Sequence, residues 1–100
     1  MPRPRICRRV RFMPDVTYFK PAGVRAVDLD EAILTVDEFE AVRLKDLEGM
    51  DQEACAARMG ISQPTFHRLV TSARMKLADA IVNGKAVKIF GGSYSCGRAR

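Results

Sequence analysis

Apolar residues recur at helical spacing in three stretches of the chain. After Thr35, the positions Val36, Phe39, Val42 and Leu47, helped by Leu44, fall on one helix face. Thr35 and Glu38 form a T-x-x-E capping box at its start, and Gly49 closes it. Asp51 is the N-cap of a short second helix, Gln52 to Met59, ended by Gly60. Ser62 caps a third, with Pro64 in the first turn, where a missing N–H costs nothing. Its stripe of Phe66, Leu69, Val70, Ala73, Leu77 and Ile81 continues to the stop at Asn83-Gly84. The pattern predicts helices near 35–48, 51–59 and 62–82.

The flanks read differently. Four of the five prolines fall in the first 25 residues, which show no helical period. Arg8–Phe12 and Val16–Lys20 read as short extended pieces, broken at Pro14 and at Pro21-Ala22-Gly23. Val10, Phe12, Val16, Tyr18 and Phe19 are too apolar for a free tail, so this arm is expected to pack partly onto the domain. Ala86 to Phe90 alternates like one strand at the edge of the helical core, and Gly91-Gly92 onward reads as a tail. A lone strand is not stable, so one of the two extended pieces, from this chain or a second copy, is its expected partner. The predicted fold class is mainly α, a three-helix domain with a short extended N-terminal arm and one C-terminal strand. Its divisions are the arm 1–27, the helical domain 28–84, and the strand and flexible tail 85–100.

Composition narrows the class. One hundred residues suit one domain, and 47% apolar with 29% charged residues is ordinary for a globular protein. No apolar run approaches a membrane span, and the basic N-terminus lacks the apolar core of a secretory signal. Cys7, Cys55 and Cys96 cannot all pair and match no zinc spacing, which points to reduced thiols and a cytoplasmic location. The net charge of +5 hides a segregation: residues 1–27 carry +6, residues 28–60 carry −7 and residues 61–100 carry +6. Two basic blocks around an acidic one suggest that chosen parts of the chain face a polyanion, nucleic acid before membrane.

Two helices joined by a three-residue turn containing glycine match the geometry of a DNA-reading helix-turn-helix. Ala56 falls where the helices cross, and Gly60 stands where a left-handed backbone is needed. Cys55, Met59, Ile61, Phe66 and Leu69 are assigned to the shared interior, with Cys55 a small core hydrophobe. The outer face keeps Ser62, Gln63, Pro64, Thr65, His67, Arg68 and Thr71, with Arg74 one turn on, and none of these is acidic. These are the expected DNA contacts, joined by Arg3, Arg5, Arg8, Arg9 and Arg11 of the arm on phosphates.

The stretch from Leu34-Thr35-Val36-Asp37-Glu38-Phe39 to Leu77 resembles the helix-turn-helix of sigma-factor region four. Leu47–Glu53, Met59–Phe66 and Ser72–Leu77 carry that likeness. With Arg3-Pro4-Arg5, Cys7-Arg8-Arg9, Tyr18–Gly23 and Val82–Ala86, nearly all of residues 2–92 resembles a small bacterial and archaeal family of predicted DNA-binding proteins of unknown function. The resemblance implies a winged or sigma-region-four-like helix-turn-helix fold and a DNA ligand, but names no target. A free-standing sigma factor is not implied, because no region-two domain is present to melt a promoter.

Nothing in the sequence points to catalysis. His67 is the only histidine and has no Ser, Cys or carboxylate at a triad spacing, and there is no P-loop, GxGxxG or HExxH. Neither a cofactor nor a metal is expected. Asp37, Glu38, Glu40, Asp46 and Glu48 read as a solvated face of the first helix, its early acids suited to the helix dipole. A sharper reading makes them a docking surface for a basic partner such as RNA polymerase. The leading expectation is a transcriptional regulator that binds double-stranded DNA through the third helix, as a homodimer on a palindrome. Two alternatives stay open: an accessory protein docked on the transcription machinery, and an RNA-binding module using the arginine-rich arm with Tyr18 and Phe19.

Overall fold

Three helices start and stop at the residues that capping chemistry picks out. The computed structural model describes residues 8–96, with α1 at Val36–Val42, α2 at Gln52–Met59 and α3 at Gln63–Asn83. Thr35 Oγ1 accepts the Glu38 N–H at 3.3 Å while Glu38 Oε1 accepts the Thr35 N–H at 2.9 Å, which closes the capping box reciprocally. Asp51 accepts the Ala54 N–H at 2.8 Å, and Ser62 accepts the Thr65 N–H at 3.3 Å. Gly60 ends α2 in the left-handed region at φ 72°, a conformation that strains any residue with a Cβ.

After Val42 the first helix loosens into a π-helical turn, Arg43–Leu47, in which the Glu48 N–H reaches back five residues to the Arg43 carbonyl at 2.9 Å. The wider turn shifts the phase of every later side chain. Leu44 is buried at 1% exposure, whereas Leu47, expected on the same face, is 77% exposed. A constant period of 3.6 residues cannot anticipate that slip. Ile81 also departs from expectation, at 82% exposure, because the stripe Phe66, Val70, Ala73, Leu77 advances by alternating fours and threes to the buried Ala80. One residue further lies about 100° around the helix. Ile81 instead stands with Phe19 at the rim of an apolar recess between α1, α3 and the sheet.

The strands are β1 (Arg8–Val10), β2 (Tyr18–Phe19), β3 (Glu31–Leu34), β4 (Ala86–Ile89) and β5 (Tyr94–Cys96). A three-stranded sheet has the order β2-β4-β3, antiparallel between β2 and β4 and parallel between β3 and β4. So β4 is central rather than at an edge, and its partner from the arm is Tyr18–Phe19 of the same chain. The other neighbour, β3, was not expected. It has only two inward positions, Ala32 and Leu34, and it begins at an exposed Glu31, so its alternation is too short to stand out. Separately, β1 pairs in parallel with β5, with Arg8 opposite Tyr94. Two C-terminal strands are therefore present, not one, and part of the expected tail is ordered. The coarse architecture is three helices and a short three-stranded sheet, with about half of the described chain helical.

Two apolar clusters fill the interior. One joins Val10, Ala32, Leu34, Val36, Val87 and Ile89 to Ala73 and Ala80 of α3. The other gathers Ala41, Leu44, Cys55, Ala56, Met59, Phe66 and Val70 where the three helices meet, with Val42 touching both. Ala56 and Cys55 thus lie inside the helix packing, as the pattern indicates.

Of the acidic face expected to be solvated, only Asp46 and Glu48 are exposed. Asp37, Glu38 and Glu40 are buried, the two glutamates on hydrogen-bonded partners and Asp37 against Arg8 at 3.8 Å. Glu40, with 0% exposure, accepts from Arg43 Nε at 2.9 Å, Arg43 Nη2 at 3.0 Å and the Arg11 N–H at 3.0 Å. Arg43 in turn lies 5.3 Å from the Phe12 ring, which stacks on Phe39. Glu38 accepts from Ser72 Oγ at 2.6 Å and Lys76 Nζ at 2.7 Å. Asp46 and Glu48 do face solvent, where they pair with Arg74 and Arg43. Removing one member of a buried pair strands the other. Glu40→Ala should cost about 3–5 kcal/mol of unfolding free energy in urea denaturation, while Glu48→Ala, at the exposed end of the same arginine, should cost about 1 kcal/mol or less.

Candidate nucleic-acid interface

The face of α3 that turns from both clusters is built by the same periodicity that buries Phe66, Val70 and Ala73. Ser62, Gln63, Pro64, His67, Arg68 and Thr71 are all exposed, and Thr65 is half-buried. Ser62 Oγ donates to Thr65 Oγ1 at 2.9 Å, and Arg68 Nη2 donates to the same oxygen at 3.3 Å. The arginine is thereby steadied along the helix while its guanidinium stays at the surface. Gln63 and His67 lie one turn apart and point the same way.

Further along α3 the chemistry changes. Arg74, expected among the contacts, holds Asp46 with two bonds, Nε–Oδ2 at 3.0 Å and Nη2–Oδ1 at 2.7 Å. The hydrogen bond from Arg74 holds the Asp46 carboxyl below the usual range. This guanidinium ties α3 to the π-helical turn and is not free. Ser72 and Lys76 are similarly committed to Glu38. Burial pushes the Glu38 pKa up, but hydrogen bonds from Lys76, Ser72 and the Thr35 amide outweigh it and leave the pKa below its ordinary value. Between these anchors the helix carries a shallow groove of about 420 Å³ lined by His67, Arg68, Thr71, Ser72, Met75 and Lys76. Met75, 68% exposed, lines it and was not expected in the site. The signal for it was available: Met75 lies four residues after Thr71 on the outer face.

The arm divides in the same way. Arg8 turns inward, its Nε 3.8 Å from Asp37 Oδ2, so it belongs to the interior rather than to the surface. Gly92, at φ 103°, presses against the same carboxylate and leaves no room for a Cβ. Arg9 lies over Gly60, and Arg11 is exposed while its amide N–H is held by Glu40. Arg3 and Arg5 lie outside the described residues, as does Cys7. Of the expected contacts within them, the structure gathers Ser62, Gln63, Pro64, Thr65, His67, Arg68 and Thr71 on one face and brings Arg9 to the turn before it. Arg8 and Arg74 are placed elsewhere.

A family model described as "Protein of unknown function DUF134" matches residues 1–97. The chain belongs to that family. Among curated relatives, the UPF0251 protein of Moorella thermoacetica is 64% identical over 94 residues, which is 94% of this chain and 63% of the relative. That of Thermoanaerobacter pseudethanolicus is 62% identical over 94 residues, 94% of this chain and 80% of the relative. The UPF0251 protein of Caldicellulosiruptor bescii is 52% identical over 100 residues, all of this chain and 69% of the relative. This DUF134 chain thus spans a little under two thirds of the Moorella relative. No solved structure matches it.

Titration of Glu38 should be visible in the stability of the domain. Its folded pKa is lowered, so its contribution is present above the unfolded value of about 4.3 and is lost as the pH falls through the folded value. Thermal unfolding followed from pH 7 down to pH 3 should show a loss of stability below about pH 4.3 that is smaller in Glu38→Gln, which is already weaker at pH 7.

Proposed function

We propose that this DUF134 protein binds duplex DNA with sequence preference and acts as a transcriptional regulator. In this reading α2, the Gly60–Ser62 turn and α3 form a helix-turn-helix of the sigma-region-four kind, with α3 as the reading helix. One observation carries it: the amino-terminal half of α3 exposes Gln63, Pro64, His67, Arg68 and Thr71 with no carboxylate among them. Ten acidic residues precede this face between positions 28 and 60, yet those of α1 are buried and paired. An exposed glutamine and an exposed arginine held in no ion pair among the described residues, near a helix start, are the side chains that pair bidentately with adenine and guanine.

His67 is read as a surface contact beside Arg68, and the protein as a binder rather than a catalyst. The single-stranded RNA alternative draws less support, because its two aromatic residues have other work. Tyr18 donates to Glu31 at 3.1 Å across the sheet, and Phe19 lines the apolar recess. One such module grips DNA weakly, so two chains on a palindromic site complete the proposal.

Gln63→Ala and Arg68→Ala should each change the preferred base at one position, with a loss of about 1–3 kcal/mol of discrimination there. Binding measured against a panel of single-base variants of a bound duplex checks this. Uniformly weaker binding with an unchanged preference would show that α3 does not read bases, and preference for single strands over duplex would favour the RNA reading. The number of chains per duplex, from light scattering of the complex, tests the dimer.

A further inference from the structure

We propose that the recess between β1 and α2 is a phosphate site for the duplex backbone, formed by Arg9, Arg11 and Arg58. The proposal rests on the DNA-binding reading and adds a site that α3 does not contain. The recess has a volume of about 410 Å³ and is lined by Arg9, Arg11, Met50, Ala54, Ala57 and Arg58. Ala54, Ala57 and Arg58 share one face of α2 at helical spacing. The two alanines make a low floor over which an anion can approach, and the guanidiniums make the walls. Among the described residues no carboxylate lines it, and none of the three arginines is in an ion pair. Three like charges around one hollow repel one another until an anion sits between them, and a guanidinium matches phosphate oxygens with two parallel bonds.

The segment that supplies two of these side chains, β1 with Arg9 and the bend after it with Arg11, is fixed. The Arg8 N–H donates to the Ser93 carbonyl at 3.2 Å, and the Arg11 N–H donates to Glu40 at 3.0 Å. Arg9 lies against the end of α2. A Cβ on Gly60 would stand 3.1 Å from its Nε and Nη2, and Nη2 is 3.5 Å from the Ala57 carbonyl oxygen. Arg9 and Arg11 are thus presented by a pinned segment and Arg58 by a helix, rather than by a free tail, so less order is lost when they engage.

Position decides between a backbone phosphate and a small free anion. Gly60, beneath Arg9, is three residues before Gln63, a span of at most about 11 Å. The major groove is about 12 Å wide with a phosphate wall on each side. With the start of α3 in the groove, the recess comes to one wall. It is shallow and open to solvent, which suits a strand passing over it better than an enclosed small ligand.

The test is the salt dependence of duplex binding by the full chain and by Arg9→Gln/Arg11→Gln/Arg58→Gln. Each lost phosphate contact lowers the slope of log affinity against log salt by about 0.9, so the triple variant should lose roughly 2–3 units while keeping its sequence preference. Arg58→Gln alone should lose about 0.9. Replacing all three with Lys should keep most of the slope, and thermal unfolding shows that each variant is folded. A triple variant with the parent slope and affinity would overturn the site and leave the DNA-binding reading standing. Failure of the parent chain to bind any duplex would overturn both. Saturable binding of inorganic phosphate to a parent chain that ignores duplex would assign the recess to a free anion and overturn the backbone assignment.

Discussion

Three carboxylates on one short helix are buried, and the rest of the structure is arranged to give them partners. A carboxylate out of water costs several kcal/mol unless it is paired and hydrogen-bonded. Glu40 draws on Arg43 and the Arg11 amide, and Glu38 on Ser72, Lys76 and the Thr35 amide. Asp37 has only the Arg8 charge 3.8 Å away, its Oδ1 and Arg8 Nε without hydrogen-bond partners among the described residues. Those partners lie on β1, on α3 and on the π-helical turn. The pairing therefore fastens the arm and the long helix to α1 in one orientation, and the two apolar clusters close around the result. Side chains on three elements would be stranded if that register slipped.

The same pairing sorts the charges that face outward. Arg8, Arg43, Lys76 and Arg74 are committed to carboxylates, while Arg9, Arg11, Arg58 and Arg68 are not in ion pairs among the described residues. The first group is structural and the second is available to a polyanion. Arg74 and Asp46 are both substantially exposed, so their pair adds little stability, about 0–1 kcal/mol. Its consequence is placement: it withdraws one arginine from the far end of the α3 face and leaves the basic character near the start of the helix. A shallow groove that includes Met75 then continues that face with an apolar surface.

Much of this was legible in the residues and part of it was not. Caps are local, so Thr35, Asp51, Ser62, Gly60 and Gly84 located the helices to within a residue or two. Alternation over Ala86–Phe90 was long enough to reveal β4, and β2 lies within the extended piece Val16–Lys20 that Pro14 and Pro21-Ala22-Gly23 bound. What escaped depended on distant partners. β3 is a strand because Ala86 donates to the Asp30 carbonyl and Phe90 to that of Leu34, not because of its own four residues. Leu47 was misplaced by the π-helical turn, and the acids of α1 by counting charges without knowing which would be paired. At the candidate site the face of α3 followed from spacing alone. The inward turn of Arg8, the commitment of Arg74 and the approach of Arg58 to Arg9 each required the fold.

We propose that α3 presents a base-reading surface to duplex DNA. Selection of bound sites from a random duplex library by the intact protein tests it most directly. A defined motif should be enriched, with half-sites about 10–10.5 base pairs apart if two chains bind together, and that motif should lose definition in Gln63→Ala/Arg68→Ala. Recovery of no motif from a folded protein, or of the same motif by the double variant, would contradict it.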